Sequence, residues 1–363
     1  MLTYPKDYED SKIQLKTKLE ELISEGYQIN ASNYKITEDL SIDKVIIKSK
    51  EKTSNRLILD TGLHGIEGFV GHACVMVFLD EILKTLRKNT EVIIYHTLNP
   101  FGMKNYRRNN ENNVDLNRNF SSNHFSSNNP GFDQATSFFR PKKYSGIKRS
   151  NIAYYYNVIK LILKYGVSTL KEATLLGQKT AHDAIYYSGI EYQSPTNYIL
   201  KEMQTNFIDI NQVVWIDLHT GYGPRYEMSI VNSKQEKENN LEMSSNINYP
   251  RVLGLNPQDF YDIDGDMIEM MYYLNEKKER PIQLYGTCFE FGTFGDSLLN
   301  SLKSLKAMIF ENSSYFISQK TNMNTYIKNL IKEQFMPSES KWKQKAYMDF
   351  KLAISGIIQY KKL

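Results

Sequence analysis

The sequence predicts an α/β fold built on a largely parallel sheet. Two observations carry this: short β-rich apolar runs alternate with helix-length apolar segments, and polar, chemistry-bearing residues cluster where those runs end. Leu57 to Leu59 reads as a buried strand. The stretch from Glu67 to about Leu86 reads as a long, mostly buried helix, and Val92 to Tyr95 as the next buried strand. Strand, turn, helix, strand is the βαβ unit of a parallel sheet.

The other elements follow in order. Residues 7–25 place Ile13, Leu19, Leu22 and Ile23 among charges, an amphipathic helix ending near Gly26. Val45 to Ile47 is a further β-rich run. From Ser121 to about Gly146 the chain turns Ser-, Asn-, Gly- and Pro-rich, the composition of a long loop. Residues 151–207 read as mostly helical, and Val213 to Leu218 as a central strand. Asn232 to about Asn256 reads as a polar surface excursion and Pro281 to Phe289 as another strand, with helices from Asp296 onward. The lysine-rich segment from Lys341 reads as a helix that packs its apolar side on the core rather than on an acidic surface. With no repeat and no linker, the economical reading is one domain over 1–363, with an insertion at about 121–210.

Bulk composition narrows the function classes. A chain of 363 residues, 41% hydrophobic and 24% charged, has ample core. Its net charge of +4 is too mild to imply nucleic acid. Two cysteines, Cys74 and Cys288, make no disulfide framework. The N-terminus carries no apolar signal core and no run reaches membrane-spanning length, so a cytoplasmic location with no membrane span is expected.

Four segments carry chemistry. In Thr61 to Gly68, read TGLHGIEG, His64 and Glu67 leave one tight turn after a strand. A ring nitrogen and a carboxylate oxygen so placed can grip one metal ion, and zinc accepts that mixture. The glycines suit a turn lying close to an ion. The second segment follows the Val92 strand and gathers Arg107, Arg108, Asp115, Asn117 and Arg118 among asparagines. Guanidinium forks bind carboxylates bidentately, so this stretch suits an anionic substrate group or an oxyanion. The third places His219 at the end of an apolar strand, a position open to metal binding or to a structural hydrogen bond. The fourth places Glu290 inside the apolar run Cys288-Phe-Glu-Phe, costly unless the carboxylate is paired, near a metal or at an edge. Cys288 alternates to the same face as Glu290.

Together these segments resemble the zinc carboxypeptidase superfamily, which includes the succinylglutamate desuccinylase and aspartoacylase-like amidohydrolases. The matching residues are His64-x-x-Glu67, Asp115-Leu-Asn117-Arg118-Asn-Phe, Asp217-x-His219 and Phe-Glu290, spanning about residues 57–293. The resemblance implies a mixed, mainly parallel sheet of about eight strands flanked by helices. It implies one zinc ion on His64, Glu67 and His219, with Asp115 orienting a ligand histidine. Glu290 is then the catalytic base for a metal-activated water. Arg107, Asn117 and Arg118 bind substrate, Asn117 and Arg118 by gripping its carboxylate, and Arg108 rather than Arg107 stabilises the oxyanion.

The implied activity is cleavage of an amide bond beside a free carboxylate, on a peptide or alternatively on a small N-acyl amino acid. A non-catalytic ligand-binding relative is the reading from another class, and the complete ligand set argues against it. A cysteine hydrolase using Cys288 lacks a partner histidine. A tyrosine closing over substrate has four candidates, Tyr261, Tyr272, Tyr273 and Tyr285.

Overall fold

The computed structural model describes residues 1–122, 128–254 and 265–363. Among these, eight strands make one sheet: β1 (Ile29–Lys35), β2 (Ser41–Ile47), β3 (Asn55–Thr61), β4 (Thr90–His96), β5 (Gln212–Thr220), β6 (Met228–Asn232), β7 (Val252–Gly254) and β8 (Gln283–Phe291). Their order is β1-β2-β4-β3-β5-β8-β6-β7. The central strands β4, β3, β5 and β8 run parallel, while β2 joins β4 and β6 joins β8 antiparallel. The mixed, mainly parallel eight-stranded sheet is therefore as expected.

Helices α1 (Tyr8–Ser24), α2 (Gly68–Val77), α3 (Pro100–Asn105) and α4 (Pro130–Phe139) precede α5 (Ile147–Leu175) and α6 (Ser194–Asn206). The later ones are α7 (Asn240–Asn246), α8 (Met267–Glu276), α9 (Leu298–Phe316), α10 (Thr321–Phe335) and α11 (Ser340–Lys361). Three details differ from the sequence reading. The stretch read as loop up to Gly146 contains α4, whose start is set by Asn129 accepting from the Phe132 N–H and by Pro130 in the first turn. The excursion after Asn232 contains α7 and β7. The edge strand β1 and the short β6 lacked an apolar signature.

Alternate residues of the central strands face opposite layers. Leu57, Leu59, Val214 and Ile216 pack with residues of α1, α2 and α11. Ile58, Ile93 and Trp215 pack with α6 and α8. A third apolar cluster joins α4, α5, α9 and α10. The lysine-rich C-terminal helix α11 buries Trp342, Phe350, Ile354 and Ile357 against the sheet. Among the described residues no helix is long and apolar enough to cross a membrane.

The chain passes from β3 to β4 on one side and enters β5 on the other. This reversal leaves a crevice at the C-terminal ends of the strands, where open α/β sheets bind ligands.

Beneath that edge, His96 at the end of β4 and His72 on α2 are fully buried, their rings joined Nε2 to Nδ1 at 3.1 Å. His72 Nε2 also meets Gln14 Oε1 at 3.2 Å. Burial lowers both pKa values, that of His96 to about 4, because the charged form loses its hydration. The folded pKa lies below the unfolded value of about 6.5, so the unfolded state binds the protons first. Stability is therefore intact above about pH 6.5 and falls as the pH drops toward 4, by about 3 kcal/mol from His96 alone. Urea denaturation between about pH 6.5 and 5, above the ordinary carboxylate range, checks this. A flat profile across that window would contradict it.

Candidate metal centre and catalytic site

The turn after β3 is shaped by close backbone approach. Gly62 has φ 64°, and a Cβ there would lie 1.8 Å from Thr97 Oγ1. A Cβ on Gly65 would meet the backbone of Gly102 at 2.3 Å. The turn is clasped by the second polar segment: Gly65 N–H donates to Arg108 O (3.1 Å) and Ile66 N–H to Arg107 O (2.8 Å). These bonds set His64 and Glu67, both buried, beside Arg108.

His219 arrives from β5. The His64 Nδ1, His219 Nδ1 and Glu67 carboxylate converge, with 3.1 Å between the two Nδ1 atoms. Glu67 Oε1 lies 2.9 Å from His64 Nδ1, and Oε2 lies 3.0 Å from His219 Nδ1. Among the described residues these three form the one His/Cys/Asp/Glu group able to hold a metal ion, their ligand atoms all within 4.8 Å of one another. The far nitrogens are engaged too. His64 Nε2 meets Asp115 Oδ1 at 3.2 Å, and His219 Nε2 meets Asp217 Oδ2 at 2.6 Å. A carboxylate holding Nε2–H leaves Nδ1 as a bare lone pair. Two such lone pairs and a carboxylate crowded together repel unless a positive charge sits among them.

The electrostatics agree. Burial opposes charge on His219, yet Asp217 and Glu67 outweigh it and hold its pKa well above the ordinary value. Burial also opposes charge on Glu67, but His64 and His219 bring its carboxyl down to about 2. Asp115 is likewise held low against its burial by Arg108 and His64. A proton shared within the cluster thus supplies one positive charge. The donor set of two imidazoles and one carboxylate fits zinc, with each imidazole braced by a carboxylate behind it.

Glu290 stands beside this group because β5 and β8 pair in register, His219 opposite Glu290. Its Oε1 accepts from the Tyr222 N–H at 2.9 Å. Burial, and then the negative charge of Glu67, push its pKa up to about 8. Cys288 lies on the same face, its Sγ 4.0 Å from Glu290 Oε2. Burial and Glu290 raise its thiol pKa well above the ordinary value, which leaves the thiol protonated and weakly nucleophilic.

The two neighbouring arginines part company. Arg108 Nε donates to Asp115 Oδ2 (3.0 Å), and its Nη1 lies 3.6 Å from Glu67 Oε1, so the far end of the fork faces the cluster. Arg107 points elsewhere: Nε donates to Glu311 (2.7 Å), Nη2 to Asn113 (2.8 Å), and its guanidinium stacks 3.5 Å from the Tyr315 ring centre. The structure does not bring Arg107 into the cluster. Arg107→Gln and Arg108→Gln are therefore each expected to cost roughly 3 kcal/mol of stability, the first by stranding Glu311 and the second by stranding Asp115. Urea denaturation of both variants checks this, and an unchanged stability in either would contradict the pairing assigned to that arginine.

Arg118 is buried nearby, its Nη1 donating to Asn117 O at 2.9 Å. The Asn117 amide is used in both directions at the start of α8, donating to Asp266 (3.0 Å) and accepting from the Met267 N–H (2.9 Å). The surrounding asparagines act as staples for the segment at 177–193. Asn113 donates to His182 O and Ala184 O, and Asn119 donates to Ser188 O and Glu191 O. Asn129 donates to Gly177 O. This segment brings in Tyr186, in the left-handed conformation (φ 58°), within electrostatic reach of Arg108, Arg118 and Asp115.

Of the four tyrosines considered from the sequence, Tyr272 hydrogen-bonds Glu236, Tyr285 bonds Asn232, and Tyr273 is exposed. Tyr261 lies outside the described residues. Sequence reasoning assigned no role to Asp217 or Tyr186. Asp217 was findable, because a residue two before His219 on a strand shares its face.

A family profile described as "Protein of unknown function (DUF2817)" matches residues 8–349. The chain belongs to the DUF2817 family. None of the curated proteins matches it in sequence.

Among solved structures, bovine thrombin-activatable fibrinolysis inhibitor in complex with tick carboxypeptidase inhibitor aligns at 16% identity and TM-score 0.50, covering 98% of each chain. A second structure of thrombin-activatable fibrinolysis inhibitor aligns at 15% identity and TM-score 0.51, over 94% of this chain and 74% of that one. Carboxypeptidase A from Helicoverpa armigera aligns at 13% identity and TM-score 0.48, over 90% and 73%. The two alignments to thrombin-activatable fibrinolysis inhibitor show that this DUF2817 chain has the same carboxypeptidase-like α/β fold.

Proposed function

We propose that the protein is a zinc-dependent hydrolase that cleaves an amide bond adjacent to a free carboxylate. The observation that carries this reading is the meeting of His64 Nδ1, His219 Nδ1 and the Glu67 carboxylate, each histidine braced by an aspartate. His64, Glu67 and His219 would hold one zinc ion, which would supply Lewis acidity for the scissile carbonyl and acidify a water.

The chain's own residues do the rest. Glu290, on the register position beside His219, takes a proton from the attacking water and returns it to the leaving amine. Arg108, fixed through Nε by Asp115, offers its remaining N–H groups to the carbonyl oxygen as that oxygen gains charge. Arg118 faces the substrate carboxylate. The Asn117 amide holds the start of α8 through Asp266 and Met267 and offers its second N–H to the same carboxylate.

The reading treats the chain as one catalytic unit, in which the insertion at about 121–210 walls the arginine side of the cleft. A panel of C-terminally varied peptides and N-acyl amino acids, assayed with and without chelator, tests it. Chelator-sensitive hydrolysis of substrates with a free carboxylate, lost when that carboxylate is amidated, is the expected result. Peptide turnover without N-acyl amino acid turnover marks a carboxypeptidase, and the reverse marks a small-molecule amidohydrolase. Equal turnover of free and amidated substrates would remove the carboxylate from the account.

A further inference from the structure

The long helix α5 has two apolar faces. Tyr154 and Val158 are buried in the cluster with α4, α9 and α10. On the other face Ile152, Tyr156, Ile159 and Leu163 recur at spacings of four, three and four, one stripe of a helix. They are 63%, 66%, 57% and 82% exposed. A helix apolar on both sides is one that is covered on both sides. Leu298 and Leu299 are likewise exposed, in the first turn of α9. Tyr154 donates to Leu302 O (2.8 Å) and Lys306 reaches Asn151 (2.7 Å), so α9 runs back across α5 and its first turn sits toward Leu163.

The charge of this region is one-sided. From Gln134 to Lys171 the chain has eight lysines and arginines and no acidic residue, although its net charge is only +4, so the remainder is net negative. Lys160 and Lys164 each follow a stripe residue by one position and form a cationic row along its flank. Together with Lys148 and Arg149 they are exposed, and none makes a salt bridge to a described residue.

We propose that the outer face of α5, with the first turn of α9, docks the protein on an anionic phospholipid surface. The isoleucines, leucine and tyrosine of that face reach the acyl boundary, while the lysines on the flank extend to the level of the phosphates. A second copy of this chain would set unpaired cations against cations. A nucleic acid would use the cations and leave four large apolar side chains in water.

Co-sedimentation of the full chain with vesicles tests this. One vesicle is phosphatidylcholine alone, the other phosphatidylcholine with about one quarter phosphatidylglycerol. Binding is expected to the anionic vesicle only, and to weaken in high salt. Ile159→Glu with Leu163→Glu, and separately Lys160→Glu with Lys164→Glu, are each expected to lower the partition coefficient at least roughly tenfold without changing the melting curve. No binding to the anionic vesicle, or equal binding by both double variants, would overturn the proposal. So would a concentration-dependent dimer that Leu163→Glu makes monomeric, since the face would then belong to a second copy.

Discussion

Glu290→Gln is expected to retain one equivalent of zinc and to lose about 10²–10⁴-fold in hydrolysis. The amide keeps the shape of the side chain and can still accept from the Tyr222 N–H. It cannot take a proton. The residues proposed to hold zinc lie on other elements, His64 and Glu67 after β3 and His219 on β5, so that set is untouched. The pH profile adds a second readout. Burial and Glu67 raise Glu290 to about 8, and a carboxyl is a base only above its pKa. A cation held by the cluster favours the ionised form, so the acidic limb of the loaded enzyme should fall below 8. Hydrolysis then declines as the pH drops through that limb, and the Gln variant shows no limb. Turnover like that of the unsubstituted protein in the variant would remove Glu290 from the role.

His219→Ala is expected to abolish the stabilisation that zinc confers. A ligand present at about a thousand times its Kd raises the folding free energy by about 4 kcal/mol, visible as a rise in Tm. With one ligand of three gone, that rise should vanish while the zinc-free protein still melts cooperatively. Zinc must also displace a proton. In the empty cluster the charge on His219 satisfies Asp217 and Glu67, and a metal at Nδ1 takes that proton's place. Calorimetric titration in buffers of different ionisation enthalpy should therefore report about one proton released per zinc bound. Affinity should weaken as the pH falls. An unaltered zinc-dependent Tm shift in the alanine variant would place the ion elsewhere.

Much of this arrangement was readable from the chain because the central strands are buried on both faces. Runs such as Leu57 to Leu59 and Val213 to Ile216 are apolar throughout, so a histidine or glutamate beyond their ends stands out. β1 is different. Its residues are mostly exposed and polar, and only pairing with β2 makes it a strand. The two arginines were hard to separate for a related reason: adjacent side chains leave an extended segment on opposite sides, so one serves the cluster and the other Glu311.

The asparagines around Arg118 looked like a polar loop. Their amides bond backbone carbonyls of a segment some seventy residues later, and no local pattern announces a long-range staple. Asn117 has a structural job that the resemblance did not announce, since one N–H and the oxygen of its amide are engaged by Asp266 and Met267.

The most direct test of the central claim is a zinc titration of chelator-stripped protein, followed by hydrolysis of the peptide and N-acyl amino acid panel. Activity is expected to return with one equivalent of zinc and to saturate there, while His219→Ala stays inactive throughout. Hydrolysis by stripped protein that zinc does not change, or a stripped protein that binds no zinc, would contradict it.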